Sequence, residues 1–263
     1  HFSALAARRQ ILNCLIIMSL FENKLSRWFI LFVVCYASLF LIAPSLGPTD
    51  DFVFLRTLQS GMPLLYYSSD FPYYDSVDLG RFTPIVSMEY NFVGLFSTSP
   101  FAYFLYHSLQ FIFFAVLLVF LLRKVTSSFP LIYLTSAFLF LLPAFTISWF
   151  RLQLPERNAI FLFAALLLCF YAYLKEERVR YIVFGLLIAN LALYYKETAF
   201  LVIGGFGFSY LVLSWRSSSL KTKIFACLLW FSSLLYLTLY YFLIYLHGTP
   251  FVLRAKIYNQ ALV

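Results

Sequence analysis

The sequence predicts an all-α, polytopic membrane protein of about seven transmembrane helices, with a long first outer loop carrying short interfacial helices. Three observations predict this class. Of the 263 residues, 63% are hydrophobic and only 11% charged, and mean hydropathy is +0.86. A soluble domain is nearer half apolar and a quarter charged. Apolar runs long enough to cross a bilayer recur at about 28–45, 101–122, 129–149, 158–174, 181–195, 198–215 and 224–246. The charges between the runs then sort into two alternating sets, as loops on opposite sides of one membrane should.

The first set holds Arg8, Arg9, Lys24, Arg27, Arg123, Lys124, Lys175, Arg178, Arg180, Arg216, Lys221 and Lys223 against three acids, a net of +9. The alternate set nets −1, and together they give the +8 of the chain. One orientation satisfies the positive-inside rule throughout. It predicts a plasma or inner-membrane protein with a cytoplasmic N-terminus and its functional loops on the outer face. The positive charge is therefore an orientation signal, and no nucleic-acid partner is expected.

Taken in order, residues 1–27 form an N-terminal interfacial or cytoplasmic segment. Their apolar run, Ile11 to Phe21, is too short to span at about eleven residues. Residues 28–246 form a seven-helix module that includes an outer loop over 46–100. Residues 247–263 form an outer-face tail. Pro100, Pro130 and Pro155 sit at starts of spans, where a missing N–H costs least. Only Lys196-Glu197 separates the fifth and sixth runs, which fits a shallow hairpin or a tilted pair. Cys14, Cys35, Cys169 and Cys227 lie in apolar runs without CxxC spacing and read as small buried hydrophobes.

The long loop opens on Asp50-Asp51, directly after Pro44, Gly47 and Pro48. Turn chemistry ends the first span and presents both carboxylates at the interface. Adjacent like charges disfavour double ionisation, which suits a general base for an acceptor hydroxyl, or a ligand for a divalent cation. An N-cap for a short surface helix over Phe52–Gln59 explains the same pair equally well. Tyr66, Tyr67, Phe71, Tyr73 and Tyr74 follow, at headgroup depth.

Four of the outer-face cations, Arg81, Arg151, Arg157 and Lys196, sit at the lipid–water boundary. Arg suits bidentate phosphate contact, while snorkelling toward headgroups explains any one of them alone. Pro155-Glu156-Arg157 makes a good helix start. Lys196-Glu197 is harder to dismiss, because an opposite-charge pair between two spans is costly at membrane depth. If both residues lay on one helix they would not face each other, so separate partners are expected. His107, just inside the second span, reads as a hydrogen-bonded helix residue. No phosphate-loop, zinc-protease or nucleophile-elbow motif is present.

In order and sidedness, these pieces resemble the membrane glycosyltransferases of the C superfold (GT-C), especially protein O-mannosyltransferases and their bacterial relatives. The matching pieces are Asp50-Asp51-Phe52, Gly80-Arg81-Phe82-Thr83-Pro84, Tyr106-His107, Pro155-Glu156-Arg157 and Tyr195-Lys196-Glu197-Thr198-Ala199. The resemblance implies a polyprenyl-phosphate-linked sugar donor, membrane lipids as surroundings, and inverting transfer to a hydroxyl on the outer face. It makes Asp50 or Asp51 the base, Arg81, Arg157, Lys196 and Arg151 donor-phosphate candidates, and Glu156, Glu197 and His107 orienting groups. Phe82 and Thr83 stand where the family more usually has a second basic or aromatic residue. Such enzymes also carry spans beyond the seventh, whereas this sequence stops at Val263. A non-catalytic accessory subunit of a larger membrane complex, built on the same scaffold with partner membrane subunits, is the competing expectation. A transporter is disfavoured, since the spans hold almost no ionisable groups apart from His107.

Overall fold

The computed structural model describes residues 24–42, 82–152 and 154–245, with no strand among them. The helices are α1 (Lys24–Ile42), α2 (Met88–Gly94), α3 (Pro100–Val125), α4 (Phe129–Leu141), α5 (Pro143–Phe150), α6 (Glu156–Glu176), α7 (Val179–Tyr195), α8 (Ala199–Ser214) and α9 (Leu220–Tyr240), the last running into a π-helical turn, Tyr241–Tyr245. Among the described residues, four helices are long and apolar enough to cross a membrane: α1, α3, α6, and α9 with its extension to Ile244. A fifth span results if the bent pair α4–α5 counts as one. The described residues are thus all-helical apart from turns and links, with the apolar helices of an integral membrane protein. At 17 and 16 residues, α7 and α8 fall short of the roughly 20 needed to cross untilted.

The chain divides into two compact units. The first comprises residues 1–45 and 100–150, the second residues 46–99 and 151–263.

In the first unit α1, α3 and α4 pack side by side. The faces they bury recur at helical spacing: Val33, Tyr36 and Phe40 on α1, and Phe104, His107, Phe111 and Phe114 on α3. The core between them is aromatic. Tyr36 stacks on Phe111 with ring centres 5.0 Å apart, and Phe40 meets Phe150 edge-on at 4.5 Å. Such pairs add about 0.5–1.5 kcal/mol each beyond their buried area. Small residues let α1 and α3 approach: the Ser108 hydroxyl donates to the Ala37 carbonyl at 2.9 Å.

The run expected as one span over 129–149 is broken. Between α4 and α5 the axis bends by 67°. Pro143 has no N–H to give the preceding turn, and it pushes Leu142 into extended backbone, φ −62° and ψ 131°. The orphaned Phe140 carbonyl is satisfied from outside the helix. It accepts from the Tyr36 hydroxyl at 2.8 Å and from Thr146 Oγ1 at 3.1 Å. An unmatched carbonyl at that depth would be costly, so the bend and Tyr36 belong together.

In the second unit α6 packs on α7 and α8 on α9, with α9 also against α7. Its core includes Leu166, Phe170, Leu193, Ile203, Phe225 and Leu229. The segment 82–87 is tied to this core before α2 begins. Phe82 is buried against Tyr194 and Tyr236, and its carbonyl accepts from the Tyr236 hydroxyl at 2.6 Å. The Ile85 N–H donates to the Tyr194 carbonyl at 3.4 Å.

Two cysteine readings are corrected. Cys35 and Cys227 are exposed on helix surfaces rather than buried, and Cys169 is half-buried; all three are free thiols. Their apolar neighbours in sequence do not place them inside, because helices in lipid can carry apolar residues on every face. Cys14 lies outside the described residues, as do the segments 1–23 and 43–81 with their predicted surface helices.

The contact between α8 and α9 yields a test. A Cβ on Gly207 would stand 2.8 Å from the Ala226 carbonyl oxygen and 3.0 Å from the Trp230 nitrogen, both backbone. A Cβ on Gly205 would meet nothing within 4 Å. Gly207→Ala should therefore destabilise the protein by about 1–3 kcal/mol through overpacking. Gly205→Ala should be neutral or gain up to about 1 kcal/mol. Thermal unfolding of both variants in detergent checks the contrast.

Candidate functional site: a buried carboxylate–guanidinium network beside an apolar groove

The polar residues that the structure gathers, among them the predicted Glu156, Arg157, Lys196 and Glu197, lie at one end of the second unit. Glu156, Arg157 and Asn158 begin α6, Tyr195 ends α7, and Lys196, Glu197 and Thr198 link α7 to α8. An antiparallel helix pair brings the start of α6 beside the end of α7. Consecutive residues on a helix point to different flanks, and this divides the polar groups into two adjacent centres.

The first centre is built on Arg157, whose side chain is 1% exposed. A buried guanidinium must have each donor matched. Arg157 Nη2 donates to the Tyr90 hydroxyl at 2.8 Å and to Glu89 Oε1 at 3.4 Å, and Nη1 donates to the Arg151 carbonyl at 3.5 Å. The Tyr90 hydroxyl in turn donates a hydrogen bond to the Leu152 carbonyl. Glu89 Oε1 also accepts from Asn158 Nδ2 at 2.7 Å and from the Tyr195 hydroxyl. Tyr195 is fixed in turn by Asn158 and by the Ser87 N–H at 3.2 Å. Glu89 Oε2 is buried with no partner among the described residues.

Backbone strain aims this carboxylate. Ser87, just before α2, is left-handed at φ 64°. Such a conformation costs a non-glycine residue on the order of 1 kcal/mol and persists only where surroundings enforce it. Here the enforcing contacts are the ties of 82–87 to α7 and α9. The sharp turn at Ser87 delivers Glu89 and Tyr90, two and three residues on, to Arg157.

The second centre is Lys196. Its Nζ lies 3.1 Å from Glu156 Oε1 and 3.6 Å from Glu197 Oε1, with the lysine side chain 12% exposed. The adjacent charges Lys196 and Glu197 were expected to find separate partners; they are in contact. Lys196 has extended backbone, φ −145°, so the helical rule does not apply to it. Glu156, Lys196 and Thr198 rim a groove of about 230 Å³ whose walls are apolar, among them Ile160, Phe163, Ala199 and Val202.

The other predicted residues divide as follows. Arg151 is exposed, and its backbone carbonyl serves Arg157. His107 is fully buried in the first unit, with Nδ1 3.1 Å from the Trp149 carbonyl oxygen. Asp50, Asp51 and Arg81 lie outside the described residues. Among the described residues, no group of three or more His, Cys, Asp or Glu side chains stands ready to hold a metal ion.

Reading the sequence missed Glu89, Tyr90, Asn158 and Tyr195 as site residues. A signal for Glu89 existed: it is the sole Asp, Glu, Lys or Arg between Phe82 and Leu122. An isolated acid in so apolar a stretch needs a partner.

No family model, curated protein or solved structure matches this chain. The class defined by fold and site is a membrane protein, helical throughout its described elements, with a buried ion pair near an apolar groove.

The ion pair yields a stability contrast. Glu89→Ala leaves the Arg157 charge buried without its carboxylate and should cost about 3–5 kcal/mol. Glu89→Gln keeps an acceptor oxygen for Asn158 and Arg157 and should cost less than half of that. Unfolding midpoints in detergent would separate the two. Equal, small losses would mean that the pair contributes little to the fold.

Proposed function

We propose that this chain is a glycosyltransferase that takes its sugar from a polyprenyl-phosphate-linked donor and passes it, with inversion, to a hydroxyl acceptor. The observation that carries this reading is the juxtaposition of charged groups with an apolar groove of about 230 Å³ at one end of the second unit. An amphiphile with an anionic head and a hydrocarbon tail fits such a surface: the groove takes the first part of the tail and Lys196 meets the phosphate. The resemblance to the GT-C enzymes supplies the reaction. On this reading all seven apolar segments span the bilayer, α7 and α8 by local thinning or oligomerisation. The N-terminus is cytoplasmic and the site faces outward.

The chemistry follows simply. The acceptor oxygen attacks the anomeric carbon as the bond from that carbon to the phosphate oxygen breaks. Polyprenyl phosphate leaves with the bonding electrons, and a carboxylate takes the acceptor's proton. Asp50 or Asp51 is the base. Lys196, with Arg81 and Arg151, stabilises the departing phosphate. Arg157 has its donors already committed to Glu89, Tyr90 and Arg151, so its part is to position Glu89. A divalent cation held by the paired aspartates would assist the leaving group.

A second reading is favoured by that same commitment of Arg157. A cation fully matched by protein groups is what a non-catalytic subunit would keep, with the scaffold retained for packing against partner membrane subunits.

Transfer from a labelled polyprenyl-phosphate sugar in vesicles distinguishes the two. Asp50→Asn with Asp51→Asn should lower transfer by about 10²-fold or more while donor binding persists. Lys196→Gln should weaken donor binding itself by about tenfold. Undiminished transfer in both variants would remove these residues from the mechanism. Purification as a stoichiometric partner of other chains, with no donor bound, would establish the accessory role.

A further inference from the structure

The first unit carries a larger groove that the proposed reaction does not use. It runs between α1 and α3, with Tyr133 of α4 at one side, and encloses about 380 Å³. That is within the range of pockets that hold small ligands, about 300–1,000 Å³. Its walls are apolar: Phe29, Val33, Ala115 and Val119 line it, and the exposed Ile30, Val34 and Val116 form its rim. The groove therefore faces the space beside the helices, where a hydrocarbon chain would lie.

Its polar end is cationic. Ser26, Arg123 and Tyr133 close it there. The Ser26 and Tyr133 hydroxyls are spent on each other at 2.7 Å. Arg123 has its guanidinium carbon 5.1 Å from the centre of the Phe129 ring, yet its Nη1 is buried with no hydrogen-bond partner among the described residues. Lys24 and Arg27 stand within a turn of Ser26, and Lys124 follows Arg123. No acidic residue lies among the described residues of this unit. An apolar slot ending at an incompletely matched guanidinium, near three further cations, calls for an amphiphile with a negative head.

The geometry points to a bound anionic phospholipid, one acyl chain in the groove between α1 and α3 and its phosphate on Arg123. The phosphate binds the partly buried Arg123 guanidinium, and phosphate oxygens are strong partners for a guanidinium. Lys24, Arg27 and Lys124 add long-range attraction for an anionic headgroup. Zwitterionic lipid offers the same tail but a neutralised head. The site therefore selects among bilayer lipids by charge.

The test uses the full chain in nanodiscs of phosphatidylcholine doped with phosphatidylglycerol, released into detergent and weighed by native mass spectrometry. The wild type should retain phosphatidylglycerol in preference to phosphatidylcholine. Arg123→Gln should lower that retention by about tenfold, and Arg123→Lys should keep part of it. Lys221→Gln, an exposed cation of the other unit, should change nothing. Val116→Trp fills the groove from its exposed rim, leaves the buried face of α3 intact, and should lower retention of both lipids; it decides the matter if Arg123→Gln fails to fold. Equal retention of the two lipids overturns the proposal. So does a Val116→Trp protein that retains lipid as the wild type does, an equal loss in Lys221→Gln, or a groove occupied by a second copy of the chain.

Discussion

The buried positive charge of Arg157 is the constraint that orders the second unit. A guanidinium at 1% exposure, at the head of an apolar helix, forfeits its hydration and must recover it from protein groups. The chain answers with a carboxylate, a phenol and a carbonyl drawn from residues 89, 90 and 151. Those groups reach it only because Ser87 adopts a left-handed turn and because Phe82 and Ile85 are anchored on α7 and α9. One unfavourable burial thus dictates the path of a whole loop. Glu89 in turn gathers Asn158 and Tyr195, so the start of α6 and the end of α7 are held in register by the same carboxylate oxygen.

The same rule governs the first unit, with backbone in place of charge. The bend at Pro143 takes the Phe140 carbonyl out of helical bonding, and Tyr36 reaches across from α1 to satisfy it. In both units a polar group stranded in an apolar interior recruits a partner distant in sequence, and the recruited partner locks two elements together. Aromatic packing supplies area around these points. Hydrogen bonding decides which residues must meet, since a ring can slide against its neighbour at small cost and an unmatched carbonyl cannot.

How much of this was legible follows from which interactions leave a local trace. Helix positions did: runs of apolar residues such as 101–122 and 158–174 appear as α3 and α6, because length and apolarity are local properties. The break at Pro143 was also written locally, yet it was read as part of one continuous run, since apolarity masks a proline placed mid-span. Glu156, Arg157, Lys196 and Glu197 were legible as a group through their common sidedness. Glu89 left only half a trace: its isolation calls for a partner, but which partner depends on a turn at Ser87 that is enforced by residues more than a hundred positions away. Cys35 and Cys227 were misplaced for a related reason: in lipid, hydrophobicity no longer distinguishes the inside of a helix bundle from its surface.

The two cations at the site differ in what they can exchange. Arg157 donates in a fixed fork to three protein acceptors, and a substrate could take it only by breaking a buried network. Lys196 is a compact charge on a flexible stem, shared between two carboxylates at 3.1 and 3.6 Å and partly open to the groove. A phosphate arriving there would replace one carboxylate with a stronger acceptor and leave the other in contact. The released Glu156 has the more exposed side chain, at 40%, so its carboxylate can turn to solvent. On the proposed reading this asymmetry assigns the roles without reference to charge alone: the arginine maintains the frame, and the lysine handles what enters it.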